Sequence, residues 1–201
     1  MPNPVRDVLV EATDPAPLVR FWSALLDRPM ADDTAVRLDD EMRLRFAATD
    51  NSKRLKNRVH LDLASDSAGH QADLVRAASD LGARPVDVGQ RDVPWVVLAD
   101  PDGNEFCVLE PRDEYRGIGP IAAVVVDALD PVAQARFWSQ LTGLPITRED
   151  PQSASLRQES RFWVEFIRVA EPKTVRNRLH LVLDGTGLPP ADPEGNEILT
   201  G

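Results

Sequence analysis

The chain is poor in several things that would have fixed its function quickly. Among its 201 residues there is one cysteine, Cys107, so no intrachain disulfide can form, and the lone thiol fits a reducing compartment. Basic residues are outnumbered, 23 against 33 acidic for a net charge of −10, which argues against a nucleic-acid partner, since phosphate backbones are gripped by clustered positive charge. Arginine supplies 20 of the 23 basic residues, a bias read here as codon usage. No run of eighteen apolar residues occurs, and Met1 to Asp7 contains no apolar stretch of the secretory kind; a protein that avoids the membrane and sits in the cytoplasm is expected. A Gly-rich phosphate cradle, a nucleophile elbow and a paired zinc motif are all missing. What remains is an ordinary globular composition, 42% hydrophobic and 28% charged.

What is present is duplication. Lys53-Arg-Leu-Lys-Asn-Arg-Val-His-Leu-Asp-Leu63 returns as Lys173-Thr-Val-Arg-Asn-Arg-Leu-His-Leu-Val-Leu183, with lysine, Asn-Arg, histidine and the flanking leucines at the same spacing. Phe21-Trp22-Ser23-Ala24-Leu25 returns as Phe137-Trp138-Ser139-Gln140-Leu141, and Ala99-Asp-Pro-Asp-Gly-Asn-Glu105 as Ala191-Asp-Pro-Glu-Gly-Asn-Glu197. The separation is 116 residues at the first Phe, 120 at the histidine and 92 at Asp100, so the second copy is 28 residues short after its histidine.

Periodicity places these motifs. Val5 to Ala12 alternates as a strand, with Asp7, Leu9 and Glu11 on one face. Asp14 can cap a helix that starts at Pro15, carries Leu18, Phe21, Trp22, Leu25 and Leu26 at helical spacing, and stops before Pro29. A hairpin over 35–38 and 43–47, a strand over 58–63, a helix over 69–81 closed by Gly82, strands over 84–88 and 93–98, a turn at Pro101-Asp-Gly-Asn104 and a strand over 105–110 complete two β-α-β-β-β units. Charged, glycine-containing 112–119 reads as a linker. The third unit has a strand over 121–126, a helix from Pro131 to Leu141 before Gly143, and strands near 155–157 and 162–169. The fourth has a strand over 179–183 and then only seven residues, 184–190, too few for a helix and two strands. Its exposed sheet edge needs covering, by the first copy or by a second chain in a homodimer.

The order of Phe-Trp on a first helix, Asn-Arg-x-His-Leu opening a central strand and Asp-Pro-Asp-Gly-Asn-Glu before a last strand resembles the glyoxalase-like branch of the vicinal oxygen chelate superfamily, over nearly the whole chain and in two tandem copies. The resemblance implies an α+β fold of βαβββ modules forming curled, mostly antiparallel sheets with helices on the outer face. It implies a complete domain at 1–112, a linker at 113–119 and an abbreviated domain at 120–201 that lacks the last helix and adjoining strands. It does not choose a chemistry, because the superfamily holds glyoxalase I, extradiol dioxygenases, epimerases, fosfomycin-modifying enzymes and non-catalytic bleomycin-binding proteins.

By that resemblance a divalent metal would take Asp7 from the first strand, His60 or its neighbour from the histidine strand, and Cys107 where the family has a glutamate. The matching positions of the second copy are Ala123, His180 and Leu199, a set that cannot hold a cation. Because the histidine recurs in the copy that has no other ligand, a repeated packing or hydrogen-bonding role explains it better than metallation, and Asn-Arg is expected to fix the loop before the strand, with the arginine fork on a carboxylate or carbonyl. Alternation puts Asp7 with Glu11, and His60 with Asp62, so these carboxylates must be solvated, paired with Arg43 or Arg45, or neutralised by a cation. Trp95 is a candidate wall for a flat ligand, as is Trp163, while Trp22 and Trp138 belong in the core. Cys107, in an apolar strand, reads as an inert buried thiol.

Two classes of function follow. In the first, the cavity of the 1–112 domain binds a small organic molecule through Asp7, Arg45, His60, Asp62, Trp95 and Cys107, without a tightly bound metal and without turnover. In the second, zinc, nickel, manganese or iron on Asp7, His60 and Cys107 serves a lyase, isomerase or dioxygenase, with Glu11 or Asp62 as the proton carrier. Both readings expect Asp7, His60 and Cys107 to face one hollow built by residues 1 to 112.

Overall fold

The computed structural model describes residues 2–157 and 162–201. The first module is β1 (Val5–Ala12), α1 (Pro15–Leu26), β2 (Met30–Asp32), β3 (Ala35–Arg37) and β4 (Arg43–Ala48). The second is β5 (Val59–Leu63), α2 (Ala68–Asp80), β6 (Arg84–Pro85), β7 (Val96–Ala99) and β8 (Glu105–Val108). A short 3-10 turn, Asp113–Tyr115, leads to the third: β9 (Ile121–Ala128), α3 (Pro131–Thr142), β10 (Ile146–Glu149), β11 (Ser153–Leu156) and β12 (Trp163–Arg168). The fourth consists of β13 (Leu179–Leu183) and β14 (Leu199–Thr200).

Helix ends follow local chemistry. Pro15 and Pro131 open α1 and α3, where a missing N–H costs nothing. The Asp130 carboxylate accepts from the Ala133 N–H at 3.1 Å, whereas Asp14, expected to do the same for α1, makes no capping hydrogen bond. α3 stops at Gly143 with φ +78°, and the corresponding α1 residue, Asp27, holds the same left-handed conformation at φ +49°.

The strands form two mixed sheets, of order β14-β13-β1-β4-β3-β2 and β10-β11-β12-β9-β5-β8-β7-β6. Within a module the first and last strands run parallel (β1 with β4, β5 with β8, β9 with β12), while the joints between modules, β1 with β13 and β5 with β9, are antiparallel. The first module therefore pairs with the fourth, and the second with the third. This corrects the hollow expected from residues 1–112, because the two modules of that stretch lie in different sheets. Strand patterning cannot choose between these pairings, since either one buries the same alternate residues; β9, buried at all eight positions, is covered on both faces and pairs with β5 on one edge and β12 on the other.

One continuous apolar core joins the sheets through the helices. Leu18, Phe21, Trp22, Leu25 and Leu26 of α1 are all buried, and the Trp22 ring meets Phe106 of β8 edge-on, 5.0 Å between centroids.

A pocket between the second and third modules

Alternation along β5 turns His60 and Asp62 to one face, and the register sets Asp62 opposite Cys107 of β8 on one side and Ala123 of β9 on the other. His60 stands opposite Val125, which in turn stands opposite Glu165 of β12. The curl of the eight-stranded sheet closes these residues around a cavity of about 170 Å³. Trp95, Val97, Leu109, Val125 and Ile167 form its apolar wall; His60, Asp62, Cys107 and Glu165 are its polar floor, with Lys56, Glu105, Arg112 and Asp127 around them. A roomier groove of about 570 Å³ by Pro4, Met42, Leu144 and Phe162 is lined by no ionisable side chain.

Among the described residues, His60, Asp62 and Cys107 are the cluster with the composition of a metal site: one ligand atom from each lies within 4.8 Å of the others. The His60 Nε2 is 3.4 Å from Asp62 Oδ1, yet neither Asp62 Oδ1 nor His60 Nδ1 makes a hydrogen bond. Burial governs all three groups. It pulls the His60 imidazole down to about 3, so the ring is neutral at physiological pH. It pushes the Asp62 carboxyl up to about 7, against the opposing effect of the Cys107 thiol, which hydrogen-bonds it. It pushes the Cys107 thiol well above the ordinary range, helped by the negative charge of Asp62, as expected for the inert thiol read from its strand.

Three residues in or beside the pocket escaped the sequence reading. Glu165, in the alternating run Trp163-Val-Glu-Phe, accepts from the Tyr115 hydroxyl at 3.0 Å and faces Arg148 at 3.5 Å; burial raises its pKa. Tyr115 comes from the stretch read as a linker, is buried, and packs edge-on against Trp163 with centroids 6.0 Å apart. Arg112 is bound to Glu110 at 2.6 Å and lies over the rings of both Trp95 and Tyr115, 5.8 and 5.7 Å from their centroids. The alternation of β12 could have revealed Glu165; nothing local marks Tyr115 or Arg112.

Asp7, Glu11 and Arg45, expected at the ligand, lie in the other sheet. Asp7 is fully buried and accepts from Arg43 at 3.0 and 3.1 Å and from Arg45 at 3.3 Å. Glu11 is held by Arg176 at 2.8 and 3.0 Å and sits 3.4 Å from His180. Position for position, the six-stranded sheet has Arg45 where the pocket has Glu165, Val182 where it has Asp62 and Leu199 where it has Cys107. An internal ion pair thus fills the equivalent of the pocket floor.

The motifs found twice form one network twice. Trp22 Nε1 donates to Asp100 at 3.3 Å and Trp138 Nε1 to Asp192 at 3.1 Å. Asn57 Nδ2 donates to Asn104 at 3.1 Å, and Asn177 Nδ2 to Asn196 at 2.9 Å. Lys53 pairs with Glu105, and Lys173 with Glu197, both at 2.7 Å. Arg58 donates to the Asp127 carbonyl at 2.7 Å and pairs with Glu194; Arg178 donates to the Glu11 carbonyl at 2.9 Å and pairs with Asp102. The fork therefore takes a carbonyl and a carboxylate in each copy and ties adjoining modules together. His180 is buried within its copy of this network, whereas His60 opens to the pocket.

The glyoxalase-like domain model matches residues 7–109 and 123–192. The structure is similar to that of glyoxalase I from Zea mays, with 13% identity over 98% of this chain and 92% of that one and a TM-score of 0.66. It is also similar to a point mutant of that enzyme, with 12% identity over 98% of this chain and 93% of that one and a TM-score of 0.64. At these identities the likeness is one of fold. None of the curated proteins matches the sequence. With the family model covering most of the chain and the motif network present twice, the chain belongs to the glyoxalase-like domain family of the vicinal oxygen chelate superfamily.

Proposed function

We propose that the protein binds a small organic molecule in the pocket between its second and third modules, without needing a tightly bound metal. The observation that carries this reading is the wall opposite Asp62: at the position where the resemblance implies a first-strand ligand, β9 presents Ala123, and the Asp7 that was to fill that role is bound to arginines in the other sheet. Trp95 and its apolar neighbours supply area for a flat body, and an empty apolar cavity of roughly 150 Å³ is enough to take benzene. Within the pocket, Asp62 is the group that can hold or move a proton near neutrality, since burial brings it to about 7; Glu11, the other candidate, is spent on Arg176.

A second reading has its own observation. One histidine nitrogen, one carboxylate oxygen and one thiolate converging beside a cavity fit zinc in kind and number, with a fourth position left for substrate or water, and a cation there would satisfy the unpartnered Asp62 Oδ1, which lies 3.4 Å from His60 Nε2. Bound there, a divalent ion would act as a Lewis acid on substrate oxygens in a lyase, isomerase or dioxygenase. His60, Asp62 and Cys107 would hold it, and Glu105, Asp127 and Glu165 are the other carboxylates lining the pocket.

Elemental analysis of the purified protein, followed by titration with zinc, nickel, manganese and iron, separates the two. The first reading expects substoichiometric metal and no gain in thermal stability. A stoichiometric ion lost in Cys107→Ser and His60→Gln would overturn it in favour of the second.

A further inference from the structure

Charge in the pocket is balanced at every group but one. Lys56 Nζ is 2.5 Å from Asp127, and Arg112 is bound to Glu110. Glu105 holds Lys53 at 2.7 Å, and Glu165 has the Tyr115 hydroxyl and Arg148. Asp62, about nine-tenths buried on the floor, contacts no lysine or arginine among the described residues, and Arg112 acts on it only from a distance. Its neighbours are the Cys107 thiol and the His60 ring, whose Nε2 is 3.4 Å away, and its Oδ1 has no hydrogen-bond partner. A carboxylate withdrawn from water without a counter-charge is costly, and the structure is built to hold this one against the cavity. At the matching place in the other sheet stands Val182, so the backbone does not require an acid there.

We propose that the pocket takes an organic cation, a small ring or flat apolar body bearing one ammonium or amidinium group, seated with its charge on Asp62. This rests on the reading of the pocket as a ligand site and adds the ligand's class. An anion would meet Asp62 and Glu165 while finding Lys56 and Arg112 already engaged; a neutral molecule would leave the Asp62 carboxylate uncompensated wherever it is ionised, whereas a cation favours that ionised form. The Trp95 ring and the aliphatic side chains of Val97, Leu109, Val125 and Ile167 would cover the body of the ligand.

The test uses the full chain, without added metal, and three probes of one shape: benzylamine, benzyl alcohol and benzoate, titrated calorimetrically near neutral to mildly alkaline pH. Benzylamine is expected to bind at least about tenfold more tightly than either of the others. In Asp62→Asn and Asp62→Val the amine and the alcohol should converge to within about threefold, provided thermal melts show both variants folded. The proposal is overturned if benzoate or benzyl alcohol binds as tightly as the amine, a comparison on the unaltered chain that needs no variant, or if Asp62→Asn keeps the preference. Equal binding of all three would leave the ligand pocket standing and remove only its charge selectivity. Binding of none would remove both.

Discussion

Trp22 and Asp100, 78 residues apart, are joined by a hydrogen bond from the indole N–H to a buried carboxylate, and Trp138 and Asp192 repeat it in the second copy. The bond ties the helix of one module to the last turn of the next, so it fixes how modules stack rather than how either folds. Trp22→Phe keeps the ring packing on Phe106 but takes one donor from a buried acceptor, and should cost about 1–3 kcal/mol in urea unfolding. Trp138→Phe should cost a similar amount, and neither should alter ligand affinity; a loss below about 0.5 kcal/mol at both positions would show that the link is dispensable.

Asp7 is predicted to be structural. Asp7→Asn leaves Arg43 and Arg45 facing an amide in place of a buried carboxylate; because both arginine side chains are about 40% exposed and water screens them, the expected loss is about 1–3 kcal/mol, less than for a fully buried pair. Ligand binding in the other sheet should be unchanged, as titration of the variant would show.

Asp27 offers the reverse experiment. It is exposed and holds φ +49°, where the equivalent residue of α3 is Gly143. Asp27→Gly removes the strain of a left-handed side-chain-bearing residue and should raise stability by up to about 1 kcal/mol, read as a shift of the urea midpoint with unchanged slope.

His180 should make the protein acid-sensitive. Burial depresses its pKa below the ordinary value, even though Glu11 and Glu197 favour the imidazolium; Arg176 opposes it. A folded pKa below the unfolded one means that the unfolded chain takes up the proton first, so the contribution is full above about 6.5 and is lost as pH falls below it. Thermal melts from pH 7 to pH 5 should show His180→Gln losing less stability, or gaining more, than the unaltered chain over that range. An unchanged slope would place the acid sensitivity elsewhere.

Cys107 should be slow to react. Its thiol is buried and held in the protonated form, so iodoacetamide labelling of the folded protein is expected to be at least about a hundredfold slower than in urea. Fast labelling in native buffer would mean that the pocket opens widely.

Most elements were legible in the sequence because their signals are local. Proline, the apolar stripe and Gly143 delimit α3; alternation marks β1, β5 and β12; and the seven residues 184–190 leave no room for the missing helix. The short strands β2 and β10 carry too few residues for alternation to speak, and the capping of α1 by Asp14 was over-read. Of the residues expected to share one hollow, His60, Asp62, Trp95 and Cys107 line the same cavity, while Asp7, Glu11 and Arg45 lie in the other sheet. Glu165, Tyr115 and Arg112 were missed because their roles come from the third module folding against the second.

By itself, then, the sequence determined the repeated unit, its family and the face of each strand, since these depend on spacing along one segment. Only the tertiary structure decided which edges join. Antiparallel pairing of β5 with β9 leaves Asp62 opposite Ala123, and pairing of β1 with β13 sets Asp7 opposite Val182 in the other sheet, away from His60 and Cys107, because strand pairing is a contest between distant edges that present the same pattern to one another.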